Sequence, residues 1–401
     1  MISRVLKAFQ YRDFRLLWYG ACTSSVGTWM QKLAQSWLVL QISGSPFLLG
    51  LDSFLGEIPI FLFSLIGGVV ADRMDRRRLL LVSQYIQMSC AFLLTALIIL
   101  DVVKVWHILA LSFTVGLAQA FGGPAYQALI PTLVPPQHLS NAIALNSIQF
   151  NLARIIGPMI GGLALTKLGA AWCFGLNGLS FVAVIISLLT IQVRFIPSPT
   201  KESMLYSMKQ GIGFIRKQGG MEPLIALAFL MTALGTPLIV FLPVFAKVVF
   251  QHGPSTYTLF LSLTGAGAVL GALLVAGLGN IRRMGRTALL TLLAFGMCVF
   301  GFAVSKSLVL SCVIVALGGI AMTMAFSLVT SLVQTITLDE MRGRVMSVYN
   351  VAFRGGMPFG SLATGSLVPI FSAPVVLAWN GCLLFALGLY FLVVHRRVAS
   401  L

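Results

Sequence analysis

Residues 68–78, Gly-Val-Val-Ala-Asp-Arg-Met-Asp-Arg-Arg-Arg, restrict what this chain can fold into more than any other stretch. Six of the eleven side chains are charged (Asp72, Arg73, Asp75, Arg76, Arg77, Arg78), in a chain where only 9% of residues are. Apolar runs flank them, 46–70 and 79–100. Each run is long enough to cross a bilayer, which takes about 20 helical residues. Such a cluster cannot sit in hydrocarbon, so it is a short turn at a water interface. Four of the six are arginines, and basic loops stay on the cytoplasmic side. Fixing this turn inside orients every other segment.

Composition supports a lipid solvent. The 401 residues are 58% hydrophobic, with 28 phenylalanines and a mean hydropathy of +0.97. A soluble domain has about 45–50% apolar and 25% charged residues. The formal charge of +17 could suggest nucleic acid, but its placement decides otherwise. Twenty of the 27 Lys and Arg fall in the inferred cytoplasmic segments: Arg4, Lys7, Arg12 and Arg15; the four arginines of 73–78; Arg194, Lys201, Lys209, Arg216 and Lys217; Arg282, Arg283 and Arg286; Arg342 and Arg344; Arg396 and Arg397. The opposite side keeps Lys104, Lys167, Lys247 and Lys306, while Lys32, Arg154 and Arg354 lie inside apolar runs. This is a topology signal. No soluble aromatic-basic module remains to bind nucleic acid. The six cysteines are scattered through apolar segments without metal or redox spacing and read as packing residues. The basic N-terminus leads into a retained span, with no cleavable signal peptide expected.

The chain reads as twelve spans with both ends inside. Span 1 covers 14–40, interrupted by Lys32; Gly44-Ser45-Pro46 turns the chain, and span 2 runs to 70 carrying Asp52 and Glu57. Span 3 is 79–100. Residues 105–153 carry no Asp, Glu, Lys or Arg, and Pro135-Pro136 divides them into spans 4 and 5. Span 6 follows Trp172 and stops at Arg194. Residues 194–222, with Pro197, Pro199 and five basic groups, form a cytoplasmic linker in which 203–216 is a surface-lying amphipathic helix. Spans 7 to 10 are 223–249, 256–279, 287–304 and 308–336; spans 11 and 12 occupy 345–394, turning near Ser372-Ala373-Pro374.

An internal repeat runs through this order. Ala153-Arg154-Ile155-Ile156-Gly157-Pro158 returns as Phe353-Arg354-Gly355-Gly356-Met357-Pro358, Trp172 is answered by Trp379, and Asn177 by Asn380. The loop at 72–78 has a weaker echo in Arg282-Arg283-Met284-Gly285-Arg286. The expected fold is an all-α membrane protein of 12 transmembrane helices in two pseudo-symmetric six-helix bundles, 1–193 and 223–401, joined by the linker 194–222. Parallel halves of this kind place a binding site near the bilayer midplane.

Gly68-x-x-x-Asp72-Arg73-x-x-Arg76-Arg77, between spans 2 and 3 of twelve, resembles the signature loop of the major facilitator superfamily, and the resemblance covers the whole chain. Asp75 stands where that family usually has Gly, so the turn is made differently. Gly157-Pro158-x-x-Gly161-Gly162 is similar to the family's antiporter motif, found mostly in exporters. Tyr11-Arg12-Asp13-Phe14-Arg15-Leu16-Leu17 and residues 71–77 resemble the multidrug and siderophore exporter branch, that of enterobactin-exporter-like proteins. The resemblance implies that Asp72 meets the start of span 11 near Arg342 and Arg344 and locks the cytoplasmic gate. A purely topogenic charge cluster is the competing reading, but topology needs Arg and not Asp. For Gly157, Pro158, Gly161 and Gly162, a helix-packing seam competes with a leak-blocking contact.

Ionisable groups within apolar spans are the leading site candidates. Counted from Ser43, Lys32 and Asp52 share a depth, so an ion pair between them is expected. Glu57 lies about 16 Å from the turn at 1.5 Å per residue, near midplane. A desolvated carboxyl there can take up and release protons, with Glu57 first and Asp52 second as coupling acids. Arg154 and Arg354 can hold an anionic substrate, balance Glu57, or bond helix carbonyls. A pocket can draw on Trp29, Gln31, Gln35, Gln119, Tyr126, Asn146, Gln149, Asn151, Met231, Met322, Met324, Phe326 and Asn350; Met and aromatics suit varied amphipathic ligands.

No phosphate-cradling loop and no metal-ligand spacing occur, so neither an enzyme nor a cofactor or metal site is expected. The expected function is proton-coupled efflux of amphipathic small molecules by a monomer in the cell (inner) membrane. Its partners are substrate, protons and membrane lipids, not nucleic acid. A lipid or lysolipid flippase or an uptake permease on the same fold is the alternative, and a sensor or assembly factor that has lost transport is a third class.

Overall fold

The computed structural model describes residues 6–192, 204–279, 283–394 and 398–399. Arg4, Arg194, Pro197, Pro199, Lys201, Arg282, Arg396 and Arg397 lie outside the described residues. Among those described, every regular element is helical. The first half contains α1 (Arg12–Ser43), α2 (Pro46–Arg73), α3 (Arg76–Ile99), α4 (Val105–Leu129), α5 (Leu139–Lys167) and α6 (Ala170–Thr190). After α7 (Met204–Lys217) come α8 (Met221–Gly235), α9 (Pro237–Val244), α10 (Pro254–Leu278), α11 (Met284–Val304), α12 (Leu308–Ile336), α13 (Arg342–Phe371) and α14 (Ala373–Val393).

Ten of the described helical segments are long and apolar enough to cross a membrane. The helices α1 and α13 are also long, 32 and 30 residues, but stand outside that apolar set. They carry Gln31, Lys32 and Gln35 in one case and Asn350 and Arg354 in the other. Polar side chains lower the hydropathy of just those helices expected to line a pathway. The leucines and isoleucines that remain exposed, such as Leu163 and Ile370, would be an aggregation hazard in water and are ordinary against lipid.

Local chemistry sets the breaks. Gly44 (φ +60°) and Gly169 (φ +94°) turn the chain between α1 and α2 and between α5 and α6, in a backbone region that glycine enters without strain. Asp75 caps α3, its carboxylate accepting from Arg77 N at 2.9 Å and Arg78 N at 3.3 Å. That is how the turn is made without the family's glycine. The tandem prolines separate α4 from α5 through two short 3-10 turns. Span 7 is not one continuous α-helix. Pro237 opens a new helix at its first position, and after Pro243 the chain continues as a π-helical turn, Phe245–Val249.

The chain divides into two compact units, Met1–Ser43 with Leu55–Lys201, and Gly44–Phe54 with Glu202–Leu401. In the first, α1 packs on α5 and α6, and α3 on α4 and α6. In the second, α12 packs on α10 and α11, α14 on α11, and α8 on α13. Segment Gly44–Phe54 belongs to the second unit, where Gly50 lies against the Ser361 carbonyl and Gly365, and Ser53 Oγ donates to Ser361 Oγ at 3.2 Å. The linker helix α7 reproduces the amphipathic helix expected at 203–216, and Gly211 brings it against the Arg344 backbone of α13.

Candidate functional site

In the first unit, α1, α2 and α5 bring four candidates together. Trp29 and Lys32 are three residues apart on α1 and share a face, with Lys32 Nζ 5.4 Å from the indole centroid. From α5, the Arg154 guanidinium lies 5.7 Å from the same centroid. Phe150, one turn before Arg154, stands edge-on to Trp29 with centroids 6.3 Å apart. Glu57 of α2 completes the group, its Oε1 3.9 Å from Lys32 Nζ. Gly157 makes the approach possible, since a Cβ there would come within 2.5 Å of Trp29 Cβ and 2.7 Å of the Val26 carbonyl. Gly161 lies against Met30 in the same way, and Pro158 and Gly162 are buried beside them. The motif therefore works as a close-packing seam between α5 and α1.

The magnitudes indicate a site that opens easily. A cation over an aromatic face contributes about 0.5–1 kcal/mol when exposed and about 2 when desolvated. The Lys32 side chain is 58% exposed and that of Glu57 26%, so an ion pair at 3.9 Å with one wet partner contributes only about 0–1 kcal/mol. Such a pair yields to a competitor.

The expected partner of Lys32 was Asp52; the ion pair found is with Glu57. The depth count explains the difference. Each helix must be measured from its own end, Ser43 for α1 and Pro46 for α2. Lys32 and Glu57 each lie eleven residues from those ends, about 16 Å, whereas Asp52 lies only about 9 Å in. Asp52 is buried.

The remaining candidates of the first unit are tied into helix contacts. Asn177 Nδ2 donates to Gln31 Oε1 at 2.6 Å, and Gln35 Nε2 to Ser112 Oγ at 2.9 Å. Tyr126 Oη donates to Asn146 Oδ1 at 2.7 Å. Gln149 is buried and donates to Ser25 Oγ and the Ala21 carbonyl. Asn151 donates to the Ser147 carbonyl of its own helix, and Gln119 is half-buried. Phe150 and Ser112 were not singled out from the sequence, and Asn177 was marked there only as the repeat partner of Asn380. Phe150 was within reach of it, lying four residues before Arg154 on one face of α5.

In the second unit, Phe326 packs edge-on against Phe353 at 5.3 Å and Phe295 at 6.3 Å. Met231 and Met322 are buried, Met324 is half-buried, and Asn350 and Arg354 are exposed. This is an aromatic and sulfur-rich packing region with an exposed arginine.

The charged turn is internally braced. Asp72 Oδ1 lies 3.6 Å from Arg76 Nη2, and Arg76 also donates to the carbonyls of Ala71 and Ala128. Arg77 donates to the carbonyls of Leu188 and Leu189 at the end of α6, where a cation meets the negative end of the helix dipole. Gly68 lies in open space and Arg73 is exposed. Across residues 4–400 the chain matches the family model of transmembrane secretion effectors, within the major facilitator superfamily. The chain belongs to this family.

This transporter is 22% identical over 378 residues to the staphyloferrin A transporter of Staphylococcus aureus, covering 93% of this chain and 94% of that one. It is 25% identical over 385 residues to the enterobactin exporter EntS of Escherichia coli, covering 95% and 91%. With macrolide efflux protein A of Streptococcus pyogenes it shares 22% over 356 residues, covering 86% and 87%. Among solved structures, a peptide transporter POT superposes with a TM-score of 0.76 at 13% identity, covering 96% of this chain and 94% of that one. A D-xylose-proton symporter gives 0.75 at 13%, covering 95% and 97%. At such identities the structures establish the fold. Family membership makes the chain a multi-pass membrane transporter and not an enzyme.

Proposed function

We propose that the protein exports amphipathic small molecules, drug- or siderophore-like, by alternating access, with protons exchanged through the acids of α2. The observation that carries this reading is the loose Lys32–Glu57 pair set against Trp29 inside an otherwise apolar span. Charge carried within a membrane span marks a functional position, and the relatives named as exporters and efflux proteins cover nearly the whole chain. Glu57 and Asp52 handle the proton, while Trp29, Gln31, Gln35, Gln119, Tyr126, Gln149 and Asn151 supply substrate contacts from the first half, and Met322, Phe326 and Asn350 from the second. Gly68, Asp72, Arg73, Arg76 and Arg77 form the gating loop. The excess of basic residues in alternate loops supports an orientation in the cell (inner) membrane with both termini inside; as each chain carries two halves of its own, the proposed working unit is a monomer among the lipids.

The test is efflux of a dye or macrolide from cells, with and without an imposed proton gradient, for the native chain, Glu57→Gln and Asp52→Asn. Loss of gradient-driven efflux in either variant, with normal membrane levels, is the expected result. Normal gradient-driven efflux by both variants would remove the coupling assignment.

A further inference from the structure

The cluster on α1, α2 and α5 has an unbalanced charge. Two cations lie within 6 Å of one indole centroid, Lys32 at 5.4 Å and Arg154 at 5.7 Å, and they repel each other. The carboxylate found beside them is Glu57, held at 3.9 Å from Lys32 alone. The Lys32 side chain is more than half exposed, and Phe150 is exposed next to a half-exposed Trp29. An aromatic platform is thus presented between two positive groups with one weak, displaceable counter-ion.

We infer that this platform binds an aromatic anion, its ring against Trp29 and Phe150 and its negative group between Lys32 and Arg154. A cationic ligand would meet two positive charges at the same ring. A neutral ligand would leave the charge of two cations balanced by the single Glu57 carboxylate. An anion satisfies both and stacks on an electron-rich face already polarised by its cations. The inference rests on the proposed transport reading for direction, and on the cluster's own geometry for ligand class.

It also fixes a sign. The ligand's negative group and the Glu57 carboxylate compete for Lys32. The charged side chains nearest Glu57 are Lys32 on α1, with Arg154 of α5 on the same indole, and Asp52 on α2 itself; the other charges of these helices lie towards their ends (Arg12, Asp13 and Arg15 on α1, Asp72 and Arg73 on α2, Lys167 on α5), and α4 carries only His107 near its start and Tyr126 towards its end. A proton on Glu57 removes the competitor, so proton and anion favour each other there.

The experiment is equilibrium binding of radiolabelled naphthoate to the purified full chain in detergent, with naphthamide and naphthylmethylamine as neutral and cationic competitors. Naphthoate is expected to bind about tenfold more tightly than naphthamide, with the amine weakest. Lys32→Gln, Arg154→Gln and Trp29→Leu are each expected to weaken naphthoate about tenfold, Lys32→Arg to retain it, and Glu57→Gln to tighten it. The gain in Glu57→Gln cannot come from a misfolded protein. Amine binding as tight as naphthoate, or naphthoate binding unaltered by the four loss and gain variants, would overturn the proposal. Efflux of other compounds by a chain that does not bind naphthoate would remove this inference and leave the export reading standing. Naphthoate binding without any efflux would do the reverse.

Discussion

The two halves of the molecule repeat one seam and place different chemistry on it. In α5, Gly157 and Gly161 bring the helix against Val26, Trp29 and Met30 of α1. In α13, Gly356 and Gly360 bring it against Phe229, Thr232 and Ala233 of α8. Both glycine pairs are spaced by four, both surround a buried proline, and both follow an arginine closely. Yet Arg154 lies over Trp29 beside an ion pair, whereas Arg354 is exposed and its neighbour Phe353 packs on Phe326 and Tyr349. Backbone contact tolerates little but glycine, so the packing survives duplication. The side chains beside the two seams carry no such constraint and differ between the halves.

The largest effect that could break this comparison comes from the seams. A Cβ at Gly360 would run into the Ala233 carbonyl and one at Gly157 into Trp29 Cβ and the Val26 carbonyl. Gly360→Leu and Gly157→Leu are each expected to cost about 1–3 kcal/mol or more by overpacking. Thermal melting followed by size-exclusion fluorescence should show a lower Tm for both. Native melting of either variant would mean that its seam is not close-packed.

Next in size is the contrast of rings. Trp29→Leu is expected to reduce efflux about tenfold, through loss of both cation contacts. Phe326→Leu, which removes ring packing only, should leave the rate within about threefold and lower the Tm instead. Initial efflux rates normalised to membrane protein separate the two. Equal losses would erase the distinction between a working half and a packing half.

The loops give the smallest differences. Asp75→Ala removes the cap of α3 and should cost about 1 kcal/mol in a detergent melt. The echo of that loop in the second half is built otherwise, with Arg283 at φ +93° preceding α11 and no side-chain cap. Arg283→Gly should relieve the left-handed backbone and raise stability by up to about 1 kcal/mol. A destabilised Arg283→Gly would show that the Arg283 side chain is needed there.

Much of the architecture was legible because lipid leaves few choices. Apolar run lengths, Pro135-Pro136 and the charged turn mark segment ends directly, and the repeat around Arg154 and Arg354 reads by eye. Three features were not legible, each for a physical reason. The break in span 7 depends on how Pro237 and Pro243 are accommodated, as a new helix start and a π turn, when kinks within one helix were equally open. The partner of Lys32 depends on where two helices begin, and an offset of three residues at the turn moved the match from Asp52 to Glu57. The cation pair on Trp29 depends on the rotation of α5 about its axis, which Gly157 sets by contact and which no periodicity in an all-round apolar helix reveals.

The sharpest test replaces the two arginines of the repeat separately, Arg154→Gln and Arg354→Gln, and compares initial efflux rates at matched membrane levels. The asymmetry described here predicts that Arg154→Gln loses most of its transport while Arg354→Gln stays near the native rate. Equal loss in both, or loss confined to Arg354→Gln, would contradict the placing of the working chemistry on α1, α2 and α5.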